Sequence, residues 1–456
     1  MTKKIIIILL AIYINFISTS LAGDYSLSFN IWLKENGHTL RSGCDNKKTR
    51  NILCYDEFGN ELWTNKENNL NNKIYESWTI PSNANPNDDT LIYYIYKYHH
   101  SHETGDGDTL QWQKYNIKPN KNYYKFDYNL NNSEKNKQNL LKTPILSYLK
   151  YEDQNITIDE FTPKERFGNF VNENTKLRSM SIGKSMVSYV LGHAICSGYI
   201  DSVDSKINDW PLVKNTLYEN QKLIDLLNMS TGDQKYVSDS FLKGSSKYRD
   251  KNFEADTKDI HYYMTMNFAD TKPSKKKYNY SILNTNLIFN YILFKTGNDF
   301  EKILSQTFNE KARIKNSVYF FRVPNSSRNL GDANSLFYAT RLDFLRIAKS
   351  MMDDYQNNTC VGKYLKEIYN KRISKGNDKI TDSDYNKTKS YGGHFHFDYF
   401  GIKNKEKVIF GMGGYGGQAI LIDMDASKII YIYSIHYNSR GKKYNVKKLL
   451  LNEFNW

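Results

Sequence analysis

Strand-like patterning brackets the C-terminal part of this chain, and helical patterning fills the interval. The stretch "ILSYLKYEDQNITIDEF" (145–161) reads as a hairpin. Residues 407–412, 418–424 and 428–435 read as three strands, the last two joined by a short "DAS" turn. The end of the chain, "VKKLLLNEFNW", reads as a closing helix. This order predicts an α/β sandwich in which the first and last strands share one sheet. No internal repeat is visible.

Upstream the pattern differs. Residues 24–130 carry aromatic and β-branched runs such as "LIYYIYKY" (91–98), separated by turn-forming clusters such as "SNANPNDD" and "ETGDGD". They read as a small β-rich module. The polar stretch "NLNNSEKNKQN" (129–139) has no apolar period and reads as a linker, which places a boundary near residue 140. Trp32, Trp63, Trp78 and Trp112 of the module read as core, with carbohydrate or peptide binding as the functional alternative. "HHSHETGDGD" (99–108) lies between a strand run and a loop and is not expected to hold a metal.

Residues 1–22 read as a secretory signal: Lys3 and Lys4, an apolar run over 5–17, then Ser20-Leu21-Ala22 before Gly23. The apolar run is shorter than the ~20 residues of a membrane span; a retained anchor is the alternative. A periplasmic or secreted protein with no stable membrane span follows. Losing Lys3 and Lys4 takes the net charge from +14 to +12. The remaining lysines are scattered, and no nucleic-acid recognition motif accompanies them, so nucleic acid is not an expected partner.

Cys44, Cys54, Cys196 and Cys360 show no paired Cys-x-x-Cys spacing, which argues against zinc. Cys44 and Cys54 are spaced to close a short loop as a disulfide, whereas Cys196 lies on the apolar face of a helix and reads as a buried thiol.

That helix has an apolar stripe of Met186, Val187, Val190, Leu191, Ala194 and Ile195, and ends at Gly198. It begins in "RSMSIGKSM" (178–186), so Ser181 falls in its first turn with Lys184 on the same face. Ser-x-x-Lys spacing also occurs at Ser147, Ser240, Ser274 and Ser439, but none of these begins an amphipathic helix. A serine hydroxyl needs a base within hydrogen-bond reach and donors for a developing oxyanion. A helix N-terminus offers unpaired N–H groups, and an amine one turn later can reach the serine oxygen.

In these segments the chain resembles the serine β-lactamase-related hydrolases, particularly the class C branch with its esterase, D-aminopeptidase and 6-aminohexanoate-oligomer hydrolase relatives. The resemblance covers about residues 141–456. It rests on the hairpin at 145–161, "RSMSIGKSM", "LIDLLNMSTG" (223–232), "YNYSILNTNLIFNYILFKTG" (278–297), "SLFYATRLDFLRIAKSMM" (335–352) and "FGMGGYGGQAILID" (410–423), in that order. It implies an α+β fold of the β-lactamase/transpeptidase-like class, an antiparallel sheet flanked by helices plus a helical subdomain, here preceded by the β-rich module. It implies no cofactor and no metal.

Carried over by position, the resemblance makes Ser181 the acylated nucleophile and Lys184 the amine that polarises it. Tyr280 matches the tyrosine of the family's Tyr-x-Asn loop, with Tyr278 as the fallback two residues earlier. The backbone N–H groups of Ser181 and Gln418 would hold the oxyanion. Tyr415, Gly416 and Gly417 would contact substrate on the strand beside the site, where glycines permit close approach. The literal Lys295-Thr296-Gly297 looks like the family's Lys-Thr-Gly strand motif, yet it ends a helix, with Gly297 as a natural C-cap. Two departures stand out: Ile282 replaces the Asn of Tyr-x-Asn, leaving a substrate amide contact to Ser281 or Asn284, and Tyr415 replaces a basic residue. Both point away from antibiotic hydrolysis. His394 and His396 read as wall residues of the pocket.

The sequence therefore predicts an exported serine hydrolase acting on a small-molecule or peptide-like amide or ester. A peptidoglycan D-Ala peptidase or β-lactamase, and a non-catalytic envelope-binding protein, are the rivals.

Overall fold

In a computed structural model of the chain, the described residues are 113–131, 134–141, 145–163, 171–237, 260–266, 268–322, 333–376, 388–399, 407–414 and 417–435. The signal segment, the module through residue 112 with Cys44, Cys54 and "HHSHETGDGD", Tyr415, Gly416 and the closing helix lie outside them. The chain divides into two compact units, and the fold below is that of the second, which comprises Trp112–Thr162 and Glu173–Trp456.

Its elements run β1 (Gln113–Ile117), β2 (Asp127–Tyr128), α1 (Glu134–Leu141), β3 (Ile145–Glu152), β4 (Asn155–Phe161), β5 (Leu177–Arg178) and α2 (Ile182–Cys196). Then come α3 (Leu223–Leu227), α4 (Ile260–Met266), α5 (Ile282–Thr296), α6 (Phe300–Leu304), β6 (Val318–Arg322), β7 (Ala333–Ala339), α7 (Arg341–Gln356) and α8 (Cys360–Asn370). Six strands close the order: β8 (Ile373–Ser374), β9 (Thr388–Gly392), β10 (Phe395–Tyr399), β11 (Ile409–Gly414), β12 (Gln418–Asp423) and β13 (Lys428–Ser434). No helix among the described residues is long and apolar enough to cross a membrane.

The large sheet has the order β2-β4-β3-β13-β12-β11-β10-β9-β8. All its pairs are antiparallel except β2–β4. As the patterning predicts, the first hairpin lies beside the last strand, with Ile429 opposite Tyr151 and Tyr433 opposite Ser147. The hairpin turns on Asp153 and Gln154, both left-handed at φ 50° and 65°, the twist a two-residue loop requires. A second sheet, β1-β6-β7-β5, was not legible as a unit in the sequence.

Two sequence readings need correction. The stretch read as a linker holds most of α1, and β1 and β2 before it pair with β6 and β4. Leu140, in the last turn of α1, packs with Ile145, Tyr148 and Ile158. Cys196, read as a buried thiol, is half-buried and forms a disulfide with Cys360 at the start of α8, with Cα atoms 5.8 Å apart. A cysteine in the last turn of an apolar helix resembles a core thiol until the second helix, 164 residues away in sequence, is brought against it.

Helix α2 is buried almost all round and lies at the centre of the unit. It ends where expected: Gly198 takes φ 79°, and the Tyr199 N–H donates back to Ala194 O at 3.1 Å. Lys295-Thr296-Gly297 likewise ends α5, with Gly297 at φ 52° and Lys295 paired to Asp209 at 2.6 Å.

Candidate active site

Strand β7 is the platform on which the site is assembled. Strand β5 pairs with it, and the pairing continues one residue further, where Ser179 N–H donates to Phe337 O at 2.8 Å and Phe337 N–H donates to Ser179 Oγ at 3.1 Å. Met180 then turns through a left-handed φ of 48°, a strained conformation for a non-glycine residue. Ser181 and the first turn of α2 follow. Gly183 makes this approach possible, because a Cβ there would lie 2.1 Å from Ser335 O of β7.

Within that turn Lys184 Nζ donates to Ser181 Oγ at 3.1 Å, and Lys184 is only 4% exposed. Neither of the other described Ser-x-x-Lys matches begins a helix. Ser147 lies within β3 and accepts from Arg341 Nε at 2.8 Å, while its Lys150 pairs with Glu152 at 2.6 Å. Ser274 sits in a loop whose backbone bonds to Gly232. Ser240 and Ser439 lie outside the described residues.

Helix α5 is tied to the same strand. The Asn290 amide exchanges two hydrogen bonds with Ala333, at 2.8 and 2.9 Å, and Ser335 N–H donates to Asn286 Oδ1 at 3.2 Å. At the other end of α5, Ser281 Oγ caps the helix by accepting from Leu283 N–H at 3.1 Å. Tyr280 precedes that cap, and Lys184 Nζ lies 4.9 Å from the centroid of its ring. Tyr278 instead packs with Met229 and Tyr391 in a buried cluster. Ile282 is the first, half-buried residue of α5. Asn284 is fully buried; its Nδ2 donates to Asp233 at 3.2 Å and its Oδ1 accepts from Thr231 at 3.4 Å. Ser281 thus caps the helix, and the Asn284 side chain is held inside by Asp233 and Thr231.

Gly414 of β11 pairs with Gln418 of β12, and a Cβ on Gly414 would lie 2.9 Å from Ser179 O. The strand pair that carries Gln418 therefore packs beside the turn that carries Ser181. Gln418 is buried, and its side-chain Nε2 and Oε1 have no hydrogen-bond partner among the described residues. Gly417, at φ 91°, closes the turn before it.

The β9–β10 turn supplies the wall behind Tyr280. Ser185 Oγ of α2 donates to His394 O at 2.6 Å, and His394 N–H donates to Leu227 O at 3.0 Å. The rings of His394 and His396 contact Tyr391, which in turn contacts Tyr280. Burial, reinforced by the Lys184 charge, pulls the His394 pKa down to about 3. Burial, then the Lys375 and Lys184 charges, lowers that of His396.

Asp233, Asn279, Lys375 and Tyr391 are parts of this region that sequence reasoning missed. Lys375, in "ISKGND", reads as a surface turn; Tyr391 is one of 37 tyrosines; Asp233 follows Gly232 just beyond the recognisable segment. Among the described residues no group of three or more His, Cys, Asp and Glu side chains could hold a metal. Chemically, a serine at the start of a buried helix, bonded to a buried amine that also faces a tyrosine ring, has the parts that nucleophilic acyl transfer requires.

No family model matches the chain, and no curated protein sequence does. Solved structures match across most of its length. A putative 6-aminohexanoate-dimer hydrolase from Bacillus anthracis is 16% identical over 82% of this chain and 98% of its own, with a TM-score of 0.58. Unliganded simvastatin synthase from Aspergillus terreus is 11% identical over 68% and 91%, with a TM-score of 0.51. A class C β-lactamase in complex with cefoxitin is 13% identical over 70% and 98%, with a TM-score of 0.50. At such identities the likeness speaks to architecture alone, and by that measure this chain has the β-lactamase/transpeptidase-like fold.

Proposed function

We propose that this protein is an exported serine hydrolase that cleaves an amide or ester bond through an acyl-enzyme on Ser181. The observation that carries the reading is the 3.1 Å hydrogen bond between Lys184 Nζ and Ser181 Oγ at the N-terminus of a buried helix. Ser181 Oγ attacks the carbonyl carbon while Lys184 and Tyr280, one proton-holding pair, take the hydroxyl proton. The backbone N–H groups of Ser181 and Gln418 hold the oxyanion. The pair then protonates the leaving amine or alcohol, and water attacks the acyl-enzyme to release the acid and free Ser181.

The lack of an amide donor at Ile282, with Asn284 held by Asp233, favours esters or linear amides over β-lactams. The signal-like N-terminus supports export, as does the Cys196–Cys360 disulfide, because such bonds persist in oxidising compartments.

The test is labelling with a fluorophosphonate probe, read by intact mass. Wild type should gain one adduct and Ser181→Ala none, and Lys184→Met should label on the order of 10²-fold more slowly or worse. No adduct from fluorophosphonate, penicillin or activated ester on folded protein would overturn the reading in favour of a binding protein on this fold. So would an adduct that survives in Ser181→Ala.

A further inference from the structure

Asp233 is fully buried, and among the described residues no lysine or arginine pairs with it. Its carboxylate is held by neutral donors. Oδ1 accepts from Asn279 Nδ2 at 2.8 Å; Oδ2 accepts from Tyr218 OH at 3.2 Å and from Asn284 Nδ2 at 3.2 Å. Burial pushes its pKa up against these hydrogen bonds, which pull it down. A carboxylate in such a place is costly to the fold, and a well-packed apolar residue would fill the space at less expense. What the apolar residue could not do is fix two amides that flank Tyr280.

Asn279 immediately precedes Tyr280, and Asn284 lies in the first turn of α5, four residues after it. Asn279 is gripped twice more, its Nδ2 donating to Val237 O at 2.9 Å and its N–H to Met229 O at 2.7 Å. On the far side of Tyr280, the Ser281 N–H meets Met229 Sδ at 3.3 Å. The 229–237 segment thus holds both chain neighbours of Tyr280. There is no slack behind it: Gly232 takes φ 77°, a Cβ there would lie 2.3 Å from Ser274 O, and Ser274 N–H donates to Gly232 O at 2.8 Å. The Tyr280 ring itself has contacts of a softer kind, at 4.9 Å to Lys184 Nζ and 6.0 Å between centroids to Tyr391.

We infer that Asp233 is a positioning residue for Tyr280, fixing through Asn279 and Asn284 the loop that sets the tyrosine against Lys184. The inference rests on the hydrolase reading for its kinetic consequence, though not for its geometric one. In Asp233→Asn one acceptor oxygen becomes a donor, so the present set of bonds to Asn279, Asn284 and Tyr218 cannot persist unchanged, and the loop is expected to shift. Misplacing a proton-transfer group by about 1 Å costs on the order of 10²-fold in rate.

The experiment compares wild type, Asp233→Asn, Asn279→Ser and, as a control, Asp343→Asn, with an activated ester and by crystallography. Asp343 is another fully buried carboxylate, held by Thr340, Asn316 and Arg346, and among the described residues none of these bonds to the Tyr280 loop. Expected is a fall in kcat on the order of 10²-fold in Asp233→Asn with KM little changed, because a transition-state contact is lost. Tyr280 should be displaced in its crystal structure. Asp343→Asn should lower the melting temperature while keeping kcat per folded molecule. Should Asp233→Asn not fold, Asn279→Ser carries the same expectation, since it removes the loop's donor and leaves Asp233 with Tyr218 and Asn284. Unchanged kcat, or an unmoved Tyr280 ring, in the folded variant overturns the inference. If wild type shows no acylation at all, the hydrolase reading fails, and the position of Tyr280 in the variant alone decides this one.

Discussion

Lys375 carries an amine that is 3% exposed, with Thr388 Oγ1 at 2.5 Å and His396 Nδ1 at 2.9 Å as its polar neighbours among the described residues. Burial pulls its pKa from 10.5 down to about 7. The folded value lies below the unfolded one, so the folded state disfavours the charge. Above pH 10.5 the amine is neutral in both states and no penalty exists. As pH falls the unfolded chain takes up the proton first, and stability is lost until the folded amine protonates near pH 7, below which the penalty is constant. Lys375→Met should therefore raise unfolding stability by roughly 3–5 kcal/mol at pH 7, less whatever the two lost hydrogen bonds contributed. The gain should shrink steadily toward pH 10.5. Urea unfolding at both ends of that window checks it, and a gain independent of pH would show that the amine is not the cause.

Among the elements, β7 couples the two halves of the site, because the serine helix α2 rests on its backbone at Ser335 and the tyrosine helix α5 is laced to it through Asn286 and Asn290. Gly183→Ala should break the first contact. The added methyl meets a backbone carbonyl that cannot rotate away, so a loss of about 3 kcal/mol is expected, together with slower acylation as Ser181 moves. Gly198→Ala, at the other end of α2, meets nothing within 4 Å and pays only for its φ of 79°. It should lose about 1–2 kcal/mol and keep its acylation rate. Equal labelling rates in both folded variants would detach the β7 contact from function. The two glycines also mark what was legible in the sequence. The end of α2 at Gly198 and the hairpin over 145–161 are local signals, each confined to a few neighbouring residues, and both could be read directly. The Gly183 contact, the Asn290–Ala333 amide pair and the whole β1-β6-β7-β5 sheet join segments far apart in the chain. Nothing in the composition of either partner announces them. Asp233 was missed for the same reason: its meaning lies in Asn279, 46 residues later.

For the molecule as a whole, the Cys196–Cys360 bond is the longest-range covalent constraint among the described residues. It closes a loop over a sequence separation of 164 residues that contains α3 to α7 and Tyr280, and excludes β9 to β13 and Ser181. Neither cysteine could be paired from spacing, since the partners sit on different helices. In the chain-entropy picture a loop of that length restricts the unfolded state by about 5 kcal/mol, with 2–4 kcal/mol more usual in practice. The bond lies at the C-terminal end of α2, whereas Ser181 lies at its N-terminal end. A helix rises ~1.5 Å per residue, which puts the two roughly 20 Å apart. The disulfide should therefore support stability without shaping the chemistry. Cys196→Ser/Cys360→Ser should unfold at lower temperature and lower urea, matching wild type after reduction, while the labelling rate of Ser181 at 25 °C stays within about twofold. A large fall in labelling with the fold intact would mean that the C-terminal end of α2 sets the orientation of its first turn. In that case the central helix, and not β7, would be the element that holds Ser181 in place.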